Sequence, residues 1–173
     1  MIMTGQNLMI GGSLNIKLTQ ANIAVIDYDM VARTTHVIHA NQLSHTHEWN
    51  EQFLVTRYTD EAGNDWWYEW NELGLLSQTS SPLNEQWHFH YDENGCLTEE
   101  TDPLGNTTLI QWLTTRDLIK SITSPDGSRT LFSYDVHHGL ISETNALGQT
   151  TTFERDEFGE VIKQIDAKQG SDS

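Results

Sequence analysis

Tyr91-Asp92-Glu93-Asn94-Gly95-Cys96-Leu97, followed by Thr101-Asp102-Pro103-Leu104-Gly105-Asn106, is one copy of an element that recurs along the chain. Its leading aromatic marks the period. Trp49, Trp70, Tyr91, Trp112, Tyr134 and Arg155 stand 21, 21, 21, 22 and 21 residues apart, and a further step back reaches Tyr28-Asp29. A fixed period of this size is the signature of a repeat architecture, in which each unit buries its apolar face only against its neighbours.

Within a unit, Gln86 to Asp92 alternates, with Trp87, Phe89 and Tyr91 on one face and His88 and His90 on the other. Glu93-Asn94-Gly95 and Asp102-Pro103-Leu104-Gly105-Asn106 supply turn residues, including glycines suited to positive φ. Two strands of about six residues and two short turns account for the period. The units superpose into columns. Tyr68, Phe89, Ile110, Phe132 and Phe153 precede the marker by two residues and form the expected core with Trp70, Tyr91, Trp112 and Tyr134. Leu76, Leu97, Leu118 and Val161 follow the marker by six, and Ile141 joins them if a one-residue insertion falls at Val136 to His138. Glu69, His90, Gln111, Ser133 and Glu154 form the solvated face. The predicted fold is all-β, an antiparallel meander of repeated hairpins that twists into a curved sheet.

Residues 49–166 hold the tandem repeats, and 167–173 read as a tail. Residues 1–48 read either as an irregular β cap or as a separate small β segment. Asn7 to Leu18 offers a hairpin there, with Leu8 and Ile10 before Gly11-Gly12 and Leu14, Ile16 and Leu18 after it.

The formal net charge of −16 disfavours binding to nucleic acid or to an anionic membrane. The chain contains no apolar stretch of about 18 residues, so no membrane insertion is expected. Met1 to Gly12 lacks the pattern of a secretory signal peptide. Cys96 is the single cysteine, which excludes an internal disulfide. Its column carries aliphatic residues in other units, so a structural thiol fits better than a nucleophile.

His45-Thr46-His47 and His88-Phe89-His90 have spacings that place two imidazoles on one strand face. His88 and His90 fall on the solvated face, and neither pair is assigned a metal. The acidic turns Asp60-Glu61-Ala62-Gly63-Asn64-Asp65 and Asp92-Glu93-Asn94-Gly95 lack the full spacing of a calcium loop. In Trp66-Trp67-Tyr68-Glu69-Trp70, alternation leaves Trp67 outside, where it can stack on a sugar or a partner protein, or pack across the sheet. No catalytic residue and no cofactor are assigned.

The segments Tyr91 to Leu97 and Thr101 to Asn106, and likewise Asn145 to Thr151 with Phe153 to Gly159, resemble the YD repeat of the Rhs family, which includes polymorphic toxins, insecticidal toxin-complex components and teneurins. The resemblance covers residues 66–166 well and 49–65 loosely. It implies a segment of a β-spiral shell that encloses a toxic cargo. It also implies a non-enzymatic role exercised through protein contact, with further shell repeats, cargo or self-association as partners, and an exported or cell-surface setting. Seven two-strand units span about 67 Å of sheet, whereas a cargo of about 100 residues has a circumference on the order of 100 Å. A shell fragment, a short stand-alone relative and an associating subunit therefore all remain open. The alternatives are a carbohydrate-binding aromatic repeat module and an enzyme centred on residues 1–48.

Overall fold

One five-residue turn builds the molecule. In eleven turns, beginning at His39, Asn50, Asp60, Asn71, Ser81, Asp92, Asp102, Ser124, Asp135, Asn145 and Asp156, the first residue's N–H donates to the carbonyl four residues on. Its own carbonyl accepts from the N–H three residues on. That fourth residue has positive φ in every case: Gly in seven turns, and Gln42, Phe53, Asn84 and His138 in the others. This is a type I turn closed by a left-handed residue, a geometry that joins antiparallel strands. Glycine adopts it without steric cost, whereas a bulky residue such as Phe53 (φ 61°) adopts it under strain.

The computed structural model describes residues 7–10, 13–16, 23–113 and 116–166. The expected tail and Leu18 lie outside the described residues. The chain divides into two compact units, residues 1–87 and 88–173. In the first, β1 (Asn7–Ile10), β2 (Ser13–Ile16), β3 (Ile23–Asp29), β4 (Thr34–His39), β5 (Ser44–Trp49), β6 (Val55–Thr59), β7 (Asp65–Trp70) and β8 (Leu76–Ser80) pair in sequence order, each antiparallel to the next. β5 runs through the boundary expected at residue 48. In the second unit the pairing runs from β9 (Gln86–Tyr91), whose first two residues precede the boundary, through β10 (Leu97–Thr101), β11 (Thr107–Leu113), β12 (Arg116–Thr123), β13 (Arg129–Tyr134), β14 (Leu140–Thr144) and β15 (Thr150–Arg155) to β16 (Val161–Ile165). Both units are all-β antiparallel meanders.

From Trp49 onward, each repeat interrupts the ladder beside its marker, and β3 and β4 add an interruption between Ile23 and Val25. Trp49 pairs with Val55, Trp70 with Leu76, Tyr91 with Leu97, Trp112 with Ile119, Tyr134 with Leu140 and Arg155 with Val161. The residue after each partner (Thr56, Ser77, Thr98, Lys120, Ile141 and Ile162) is skipped by the register, which makes a β-bulge.

This register moves the expected insertion. Trp112 pairs with a residue seven places on and Tyr134 with one six places on, so the extra residue lies between Trp112 and Ile119, not at Val136 to His138. Ile119 and Leu140 therefore occupy the column that the sequence reading gave to Leu118 and Ile141. Ile141 is the bulge residue of its unit and is 39% exposed. Val161 holds its column but is 49% exposed, in a strand whose residues are all exposed. The other expected core residues, Tyr68, Trp70, Leu76, Phe89, Tyr91, Leu97, Ile110, Trp112, Leu118, Phe132, Tyr134 and Phe153, are half-buried. Among the described residues Val37 alone is an apolar residue buried to 8% exposure.

Candidate functional site

The marker column has a chemical definition. Trp70 Nε1 donates to the Val55 carbonyl at 2.7 Å, and Trp112 Nε1 to the Leu97 carbonyl at 2.7 Å. Tyr134 Oη donates to the Ile119 carbonyl at 2.9 Å, and Arg155 Nε to the Leu140 carbonyl at 3.2 Å. Each donor reaches back 15 residues, to the residue that pairs with the previous marker across the bulge. Six residues forward by strand pairing and fifteen back by side chain close the 21-residue period, and seven plus fifteen close the single 22-residue step. Indole, phenol and guanidinium are interchangeable because each carries a hydrogen-bond donor at the end of a flat group. Such a bond contributes about 0.5–1.5 kcal/mol net, and an orphaned carbonyl costs more. Burial raises the pKa of Tyr68, Tyr91 and Tyr134, which favours the neutral phenol.

The residue after the marker closes the turn. Asp92 Oδ1 accepts the N–H groups of Asn94 and Cys96, and Asp135 Oδ1 those of His137 and Gly139. Asn50, Asn71 and Asp156 do the same. The second turn repeats the device. Asp60 accepts from Ala62 N, Asn64 N and Asn64 Nδ2, and Asp102 from Leu104 N, Asn106 N and Asn106 Nδ2. The asparagine side chains, followed by the backbone donors, hold both carboxyls below the usual range. These oxygens serve as turn caps, so the acidic turns have a conformational explanation. The Cys96 amide is one of the capped groups, and its half-buried thiol adjoins the turn.

Trp67, the one expected binding residue, is 49% exposed, and Trp66 lies on the opposite, half-buried face. The Arg57 guanidinium lies over the Trp67 ring, 5.0 Å from its centroid. Arg57 also pairs with Glu48 at 2.9 Å and Asp65 at 2.8 Å. One face of the indole is therefore already covered.

The histidines group differently from their sequence pairs. His45 and His47 sit edge-to-face at 5.2 Å, and burial followed by the His45 charge lowers the His47 pKa. His45 Nδ1 lies 3.0 Å from His39 Nε2, with Glu61 beside both. Sequence spacing alone missed His39 and Glu61. The available signal was their departure from the repeat columns. In the second unit, His88 is half-buried and His90 exposed.

Apolar side chains also point outward at regular places. The third residue of the second turn is an exposed leucine at Leu83, Leu104 (87%) and Leu147 (82%). Leu109 and Leu131 are exposed on strand faces. A polar depression of about 330 Å³ lies around Phe153, Asn145 and Gln164.

The RHS Repeat family model matches residues 70–107 and 137–171. No curated protein matches the chain. Among solved structures, a Tc holotoxin pore from Photorhabdus luminescens aligns with a TM-score of 0.62 at 10% identity, over 88% of this chain and 9% of that one. A TcdB2–TccC3 complex aligns with a TM-score of 0.43 at 13% identity, over 89% of this chain and 11% of that one. The likeness to the holotoxin chain is one of fold, and this chain spans about a tenth of its length.

Proposed function

We propose that this chain, a structural repeat module whose residues 70–107 and 137–171 match the RHS Repeat model, is non-enzymatic and works by protein contact, as one segment of a larger shell of the same repeats that encloses a toxic cargo. The observation that carries this reading is the single-layered burial. The marker column is half-buried, as is the core column except at Ile141 and Val161, and Val37 alone is a buried apolar residue among those described. A sheet of this kind leaves apolar surface for a partner to cover. β16 supports the same reading, with Val161, Ile162 and Ile165 all exposed. Among the described residues β16 pairs only with β15, and such a strand is a template for a further strand of the same pattern. The exposed Leu104 and Leu147 add contact points at the turn tips.

Sedimentation velocity over a concentration series tests this. Association that rises with concentration, and weakens when Ile162 and Ile165 are changed to lysine, is the expected result. A monomer at high concentration would contradict it. The polysaccharide-binding reading has less support, since Trp66 and Trp67 face opposite ways and Arg57 occupies the Trp67 ring. Retention on a polysaccharide resin that is lost in Trp67→Ala would revive it.

A further inference from the structure

We propose that His39, His45 and Glu61 form a binding site for a divalent transition-metal ion of the zinc class. His39 Nε2 and His45 Nδ1 are 3.0 Å apart. One oxygen, Glu61 Oε1, lies 3.4 Å from the first and 3.5 Å from the second. Zinc takes imidazole nitrogen and carboxylate oxygen at about 2.0–2.2 Å, so two ligand atoms at tetrahedral corners stand about 3.3–3.5 Å apart. The three atoms already approximate one face of that tetrahedron, with the fourth corner left for water.

Without a metal, a proton between the imidazoles and the Glu61 carboxylate beside them hold the three groups together. A cation at the centre satisfies all three lone pairs. Two imidazoles and one carboxylate make up a donor set that suits zinc, and nickel or copper after it. All three side chains retain solvent access, and the chain's charge of −16 draws cations.

A second observation is independent of distance. His39 opens its turn at the position held by Asp60, Ser81, Asp102, Ser124 and Asn145 in the other units. His45 takes the strand position of Trp66, Trp87, Thr108, Thr130 and Thr151. Glu61 follows a turn-opening residue, where Ala40, Pro82, Pro103, Pro125 and Ala146 stand elsewhere. Three departures from three columns meet at one point, where the turns after β4 and β6 lie at the same end of the first unit's meander.

The test is a calorimetric titration of the full chain with zinc chloride. Each variant carries a residue that another unit holds at the same position: His39→Asn, His45→Thr and Glu61→Ala. The expected result is saturable binding of one ion per chain with a Kd of about 10 µM or tighter. Each single change should weaken it by about 10-fold or more, and the triple change should abolish it. Zinc should also raise the thermal midpoint of the native chain and leave that of the triple variant unmoved. Changing His88 and His90 to alanine should leave the titration unaltered. Absence of saturable binding, affinity retained in the triple variant, or affinity lost with His88 and His90 would each overturn the proposal.

Discussion

Residues 34–64 and residues 97–155 are built on the same turn and the same ladder, yet carry different side chains on them. In the later stretch the turn residues are mostly Asp or Asn, Gly takes the left-handed place except at His138, and the second-turn tips are Leu104, Asp126 and Leu147. In the earlier stretch His39 opens a turn, Gln42 and Phe53 take the left-handed position, and Glu61 replaces proline or alanine. The comparison teaches that the hydrogen bonds of the turn hold the fold, while the residues carrying them are free to vary. Strain at Phe53 is offset locally, because its ring stacks on Trp49 at 5.1 Å.

The sharpest way to break this comparison is to remove a marker from the regular stretch. Trp112→Ala should lower unfolding free energy by about 2–3 kcal/mol in urea, through lost contact area and the loss of the bond to the Leu97 carbonyl. A smaller effect comes from exchanging the left-handed residues. Gly105→Phe should cost about 1–2 kcal/mol, because φ there is +82° and an added Cβ meets no atom within 4 Å that could offset the strain. Phe53→Gly should change stability by about 1 kcal/mol or less, since relief of backbone strain and loss of the Trp49 contact oppose each other. Equal costs at the two sites would show that the two stretches do not share a turn.

The turn carboxylates give the smallest effect and a pH signature. The folded-state pKa values of Asp60, Asp102 and Asp135 are lowered, the first two chiefly by asparagine side-chain bonds and Asp135 chiefly by the Gly139 N–H. The unfolded chain therefore binds more protons. The stabilisation is present above about pH 4 and is lost as pH falls through the lowered values. Asp102→Asn, which copies the cap used at Asn145, should lower the thermal midpoint slightly at pH 7 and flatten its fall below pH 4. A steeper fall would contradict the assignment.

Much of this was legible in the sequence. The period, the alternation of Trp87, Phe89 and Tyr91, and the turn glycines led directly to an antiparallel meander. Other features depend on pairing between strands and leave no local pattern. Ile141 and Leu118 were placed one residue out of column because a bulge after Leu140 and an insertion before Ile119 change register without changing hydropathy. The role of the marker was hidden for the same reason. Its partner carbonyl lies 15 residues away, and Trp, Tyr and Arg look unlike until their donors are placed. His39 and Glu61 lie 22 residues apart, too far for any ligand spacing to join them.

The claim that the marker is a donor which ties each repeat to the one before is tested most directly at Tyr134, where one atom separates the two readings. Urea unfolding of Tyr134→Phe should show a loss of about 1–2 kcal/mol with an unchanged denaturant slope, because the Ile119 carbonyl loses its partner. A Tyr134→Phe chain as stable as the native one would show that the column works by ring packing alone, and would contradict the account.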